Sequence, residues 1–192
     1  MRFNIPTILT LSRIAVIPVF ILIYYLPVEW SNEVCTILFV AAAITDWLDG
    51  YIARRYQMSS KFGAFLDPVA DKLMVAVVLI LLVDRNPTDF PHMLLAIPAV
   101  IIIGREITIS ALREWMAELG ESGLVSVSFV GKVKTTAQLI ALPFMIHREP
   151  LWGVVPVAEI GLILLYVAAV LTLWSMFIYL RGAWPIIKDN TD

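Results

Sequence analysis

The sequence predicts an all-α fold, a polytopic membrane bundle of six transmembrane helices with both termini on the cytoplasmic side. Three observations carry that expectation. Of 192 residues, 60% are hydrophobic and only 16% charged, against about a quarter charged in soluble domains, and the mean hydropathy is +0.85. Six apolar stretches, near 7–26, 34–54, 62–83, 93–115, 132–146 and 154–180, each approach the roughly 20 residues that span a bilayer. Polar or proline-bearing breaks at 27–33, 55–61, 84–91, 118–128 and 147–150 separate them. With no repeat, low-complexity tract or change of composition, residues 1–192 are expected to form one membrane domain.

The first stretch follows Arg2 but lacks a small-residue cleavage site, so it reads as a retained helix rather than a signal peptide. Residues 1–13 are amphipathic enough to begin as a short interfacial helix. In the second stretch, 34–44 is apolar and charge arrives at Asp46. The third reverses this, with Asp67, Asp71 and Lys72 ahead of an apolar 73–83. The fourth ends on Arg105, Glu106 and Arg113, and the fifth opens with Lys132 and Lys134. Consecutive spans alternate direction, so these four polar ends should meet on one face and leave the other half of the bundle dry. That face collects every one of the 14 Lys and Arg except Arg85 and Arg148. By the positive-inside rule it is cytoplasmic.

The cluster Asp46, Asp49, Asp67 and Asp71 is the sharpest feature. Ionised groups in or near hydrocarbon cost several kcal/mol each and are rarely left without partners. Asp46, Asp49, Gly50 and Ala53 are spaced i, i+3, i+4, i+7 and form one helical stripe. Gly63, Asp67 and Asp71, at i, i+4, i+8, form another, and the short link between the two helices should make them antiparallel neighbours with facing stripes. Four hard carboxylates without matching His or Cys suit two Mg²⁺ or Mn²⁺ ions about 3.5–4 Å apart. Gly50, Ala53 and Gly63 clear room for a bulky ligand, and Arg54 adds a charge suited to phosphate. Carboxylates that merely solvate helix ends would be mixed in type and would not fall on two stripes with glycines between them.

The run Asp46-x2-Asp49-Gly50-x2-Ala53-Arg54-x8-Gly63-x3-Asp67-x3-Asp71 resembles the signature of the CDP-alcohol phosphatidyltransferase family at all eight fixed positions. The resemblance extends over most of the chain, through Asn4, Pro6, Thr10, Arg13, Lys72, Arg105, Glu106, Ser110, Arg113, Gly131 and Lys134. In these segments it is similar to members that use sn-glycerol 3-phosphate. Thr7 stands where many relatives have a second Asn. The resemblance implies transfer of a phosphatidyl group from CDP-diacylglycerol to sn-glycerol 3-phosphate with release of CMP, a step of phospholipid biosynthesis at the bacterial inner membrane. It implies that Asp46, Asp49, Asp67 and Asp71 hold the metals, that Asp71 is also the catalytic base, and that Gly50, Ala53, Arg54 and Gly63 line the CDP pocket. It further suggests a homodimer embedded in membrane lipid, with no nucleic-acid partner.

A phosphorylated acceptor needs fixed cations, and Arg105, Lys132, Arg113 and Lys134 are the candidates, with Glu106 and Glu114 as pairing partners. Plain positive-inside anchoring competes for the same residues. Serine, inositol phosphate or a second phosphatidylglycerol as acceptor would leave the signature unchanged. A cation transporter is the other class, disfavoured because transport sites sit near the midplane between repeats with broken helices. Cys35, the lone cysteine, reads as a buried inert thiol. His92, His147 and Glu159 fall toward the other face, where the two histidines have no evident partners. Tyr25, Trp30 and Trp152 read as an outer aromatic belt, with Tyr179 and Trp184 on the inner side.

Overall fold

The computed structural model describes residues 5–56, 61–120 and 129–189. Six helices follow one another: α1 (Ile5–Tyr25), α2 (Ser31–Tyr56), α3 (Lys61–Asp84), α4 (His92–Glu118), α5 (Phe129–His147) and α6 (Val157–Asp189). No strand is present among the described residues; Leu151 and Val155 make one isolated bridge. Among the described residues, four helices are long and apolar enough to cross a membrane: α1, α2, α4 and α6. α3 carries Asp67, Asp71 and Lys72 within it, and α5 has 19 residues with Lys132 and Lys134 in its first turns.

Each helix ends for a local reason. α4 stops before Leu119 and Gly120, whose amides donate to the carbonyls of Trp115 and Ala117, and Gly120 takes φ +79°. α6 starts three residues later than its apolar pattern because 151–155 forms a tight turn. Trp152 and Gly153 adopt φ 53° and 70° there, and Pro156 supplies the carbonyl that accepts from Ile160. α6 also outruns the pattern to Asp189, carrying Pro185 within it. α1 is one uninterrupted helix from Ile5, so no separate interfacial helix appears among the described residues.

α1 packs against α2 and α3, α2 also against α5, α3 against α4 and α5, and α4 and α5 against α6. Few direct backbone contacts join α2 to α3 among the described residues, and α1 engages both. Their carboxylate stripes nevertheless face each other, as expected, across an arginine and a threonine that α1 supplies. The tightest packing joins α5 to α6. A Cβ built on Gly161 would lie 2.6 Å from Met145 Cγ and 2.9 Å from the Ala141 carbonyl, so a glycine allows this approach.

The core, including Phe20, Leu79, Leu82, Ile102, Leu142 and Leu165, is apolar and fully buried. Cys35 is buried as expected, with Sγ 3.8 Å from the Phe20 carbonyl. Large apolar side chains such as Leu22, Ile37, Val100, Ile163 and Phe177 face outward, suiting a surface solvated by lipid rather than water. At the end away from the carboxylates, the Tyr25 hydroxyl donates to Asp84 at 2.8 Å and the Arg85 guanidinium lies 4.8 Å from the Tyr25 ring centroid. His92, expected without partners, has Nδ1 3.0 Å from the Val83 carbonyl oxygen, because the turn 85–91 folds the start of α4 back on α3.

Candidate active site

The four polar helix ends meet, and two charged clusters form there. The first is built on Arg13, the sole Lys, Arg, Asp or Glu of α1. Its Nη1 donates to Asp46 at 2.5 Å and to Asp71, while Nη2 donates to Asp49 and lies 3.6 Å from Asp67. Thr10, one turn earlier, donates to Asp67. Helical spacing puts Thr10 and Arg13 on one face of α1, as it puts Asp46 with Asp49 and Asp67 with Asp71. One guanidinium thus touches all four carboxylates. Arg13 and Asp49 are buried, whereas the side chains of Asp46, Asp67 and Asp71 are 41%, 38% and 46% exposed. The cluster has a closed floor and an open mouth.

The donor set fits a hard divalent cation: four carboxylates, no sulfur or imidazole, gathered within reach of one side chain. Among the described residues, no three acidic, histidine or cysteine side chains are already drawn together as an ion cage, since the carboxylates are turned onto Arg13. Gly63 is buried and Gly50 half-buried on the helices that carry the carboxylates. The side chains of Ala53, Arg54 and Lys132 lie outside the described residues.

The second cluster joins α4, α5 and α6. Glu106 Oε1 accepts from Arg105 Nη1 at 3.0 Å and from Lys134 Nζ at 2.6 Å. Arg105 Nη2 donates to Ser175 Oγ at 3.0 Å. The guanidinium carbons of Arg105 and Arg113 lie 5.5 and 5.4 Å from the Tyr179 ring centroid, and Arg113 also donates to the Tyr179 hydroxyl at 3.2 Å. Arg105 and Lys134 are buried and Arg113 is exposed. Glu106 therefore pairs as expected, whereas Glu114 makes no ion pair among the described residues. Lys72 turns away from its aspartate neighbours and donates to Ser110 on α4.

A cavity of about 290 Å³ connects the clusters; Arg13, Asp46, Asp71, Lys72, Glu106 and Lys134 all line it. A larger hollow of about 590 Å³ between α4 and α6 is apolar except for Glu159 and lies away from both clusters.

Sequence reasoning placed the four aspartates and the α4–α5 cations but gave no site role to Arg13, Thr10, Ser175 or Tyr179. Arg13 had a signal: a lone charge inside an apolar span is a functional-site candidate by default. Ser175 and Tyr179 had none, because their roles depend on which helix α6 packs against.

The CDP-alcohol phosphatidyltransferase family matches residues 3–174. Proteins of Shigella flexneri serotype 5b (strain 8401) and Escherichia coli (strain K12) are each 52% identical over 190 residues, covering 99% of this chain and the whole of each relative. Both are named CDP-diacylglycerol–glycerol-3-phosphate 3-phosphatidyltransferase.

Proposed function

The chain belongs to the CDP-alcohol phosphatidyltransferase family, and from that premise we propose that it transfers the phosphatidyl group of CDP-diacylglycerol to sn-glycerol 3-phosphate, releasing CMP. The observation that carries this reading is the single cavity with Asp46 and Asp71 on one wall and Lys134 with Glu106 on another. A donor bound through metals on carboxylates and an acceptor that brings a phosphate need adjoining compartments of opposite charge.

Asp46, Asp49, Asp67 and Asp71 would hold two Mg²⁺ or Mn²⁺ ions. Such ions supply neutralisation of the pyrophosphate and of the departing CMP. The chain's own residues do the rest. Gly50 and Gly63 leave space beside the carboxylates for the cytidine diphosphate, together with Ala53 and Arg54. Asp71 stands at the open mouth of its cluster and lines the cavity, placed to take a proton from the acceptor hydroxyl. As that hydroxyl oxygen bonds to the lipid-bearing phosphorus, the bond from phosphorus to the CMP oxygen breaks and the proton passes to a carboxylate oxygen of Asp71. Lys134 and Arg105 hold the acceptor phosphate from the opposite side, with Arg113 and Lys132 at its rim.

In the bilayer all six helices cross, with both termini and the cavity mouth at the cytoplasmic face of the bacterial inner membrane. α3 and α5 cross with their charged ends inside the bundle, where lipid does not meet them. Acyl chains of the donor stay in the membrane while its headgroup enters the cavity. The enzyme works as a homodimer.

The test is an acceptor screen with purified protein and labelled CDP-diacylglycerol, with and without Mg²⁺. Metal-dependent CMP release is expected with sn-glycerol 3-phosphate and not with serine, inositol phosphate or phosphatidylglycerol. Release with any of those instead would reassign the acceptor.

A further inference from the structure

The carboxylate cluster contains a cation of its own. α1 is apolar from Ile5 to Tyr25 apart from Arg13, yet that one guanidinium is buried to 6% exposure and contacts Asp46, Asp49 and Asp71 while lying 3.6 Å from Asp67. Asp46 and Asp49 come from α2, Asp67 and Asp71 from α3, and few direct backbone contacts join these helices among the described residues. At this level the bundle is held by α1, through one arginine and the adjoining Thr10.

We propose that Arg13 is a resident counter-charge for the carboxylates: it holds α2 and α3 together when divalent ions are absent, and competes with those ions for the same oxygens. The proposal rests on the reading of the cluster as an ion site. Four carboxylates within reach of each other repel strongly in a partly buried setting, and some positive charge must relieve that repulsion in every state of the protein. Divalent ions can supply it when bound. Arg13 is the described cation that supplies it otherwise, since Lys72 turns to Ser110 and Lys134 to Glu106. Metal-free protein would then stay folded with its carboxylates gathered, and ions would enter by displacing arginine contacts rather than by assembling a scattered set. Arg13 is thus a positioning residue, one that weakens ion affinity while preserving the site.

The experiment measures stability and ion binding, not turnover. Purified protein in detergent is melted in EDTA and in Mg²⁺, and Mn²⁺ binding is titrated by the EPR signal of the free ion, for wild type, Arg13→Gln and Arg13→Lys. In EDTA, Arg13→Gln should melt about 6 °C or more below wild type. Mg²⁺ should raise its melting point by more than it raises that of wild type, because an ion that binds only the folded state stabilises it according to its affinity. Its Mn²⁺ affinity should rise about tenfold, since a competing positive charge is gone. Arg13→Lys keeps the charge but not the fork, and should fall between the two. It carries the same comparison if Arg13→Gln does not fold in EDTA. Weaker Mn²⁺ binding in the variants would make Arg13 an organiser of the ion site and overturn the proposal. An equal Mg²⁺ shift in all three proteins would also overturn it, leaving Arg13 a plain structural contact. Absence of Mn²⁺ binding in wild type would remove the ion-site reading itself, an outcome distinguishable from both.

Discussion

The two charged clusters at one end of the bundle are built with opposite imbalance. Around Arg13, four carboxylates face one guanidinium. Around Glu106, the buried cations Arg105 and Lys134 share one carboxylate, and Arg113 stands beside them on Tyr179. Each holds enough of the opposite charge to survive burial, and each is left with an excess. A structural ion pair would be balanced, because desolvating surplus charge is unfavourable. Asp46 and Asp71 line the cavity together with Lys72, Glu106 and Lys134, a division that fits the proposed cation and anion sites. At the other end the hollow between α4 and α6 is lined mostly by apolar side chains, and the polar contacts there, from Tyr25 to Asp84 and from His92 to the Val83 carbonyl, join α1 and α4 to α3.

The largest expected effect would break the acidic side. Exhaustive chelation should abolish turnover, and Mg²⁺ or Mn²⁺ added back should restore it. Full activity in chelated protein would remove the ions from the comparison. Next comes Asp71→Asn, which keeps shape and removes the proposed base. CMP release should fall about 10³-fold or more, with CDP-diacylglycerol binding largely retained in a direct binding assay.

The basic side should fail differently. Arg105→Ala removes a charge-assisted contact of about 1.5–3 kcal/mol, which corresponds to roughly 10- to 150-fold. Steady-state kinetics should show that loss in KM for sn-glycerol 3-phosphate and little change in KM for CDP-diacylglycerol. Lys134→Ala should act the same way. Equal effects on both substrates would merge the two compartments into one. The tight α5–α6 crossing gives a control: Gly161→Ala should lower stability by about 1–3 kcal/mol through overpacking against Met145, read in a thermal melt, with the ratio of the two KM values unchanged. The smallest effect is expected from Tyr179→Phe. It keeps the ring under Arg105 and Arg113 and deletes the hydroxyl that accepts from Arg113, so the acceptor KM should rise only about two- to tenfold.

Much of the fold was legible because its signals are local. Apolar runs of spanning length, separated by Pro and charge, located six helices, although α6 outran its pattern and, among the described residues, α1, α2, α4 and α6 are the ones that qualify as spans. The aspartate stripes were legible for the same reason, since i, i+3, i+4 and i+8 spacing dictates a shared helix face. Helix neighbours were only partly legible. The short link from α2 to α3 suggested that their carboxylate stripes face each other, which they do, but α1 and its Arg13 stand between them.

By itself, then, the sequence determined the all-helical class, the alternation that brings the polar helix ends together, and the identity of the groups available there. Tertiary structure alone decided that Arg13 reaches four carboxylates from two other helices, that Arg105 and Lys134 converge on one Glu106, and that Ser175 and Tyr179 of α6 brace Arg105. The physical reason is range. Periodicity along one helix is a property of consecutive residues, whereas the partner of a buried charge is chosen by packing between helices far apart in the chain, and Arg13 meets Asp71 across 58 residues.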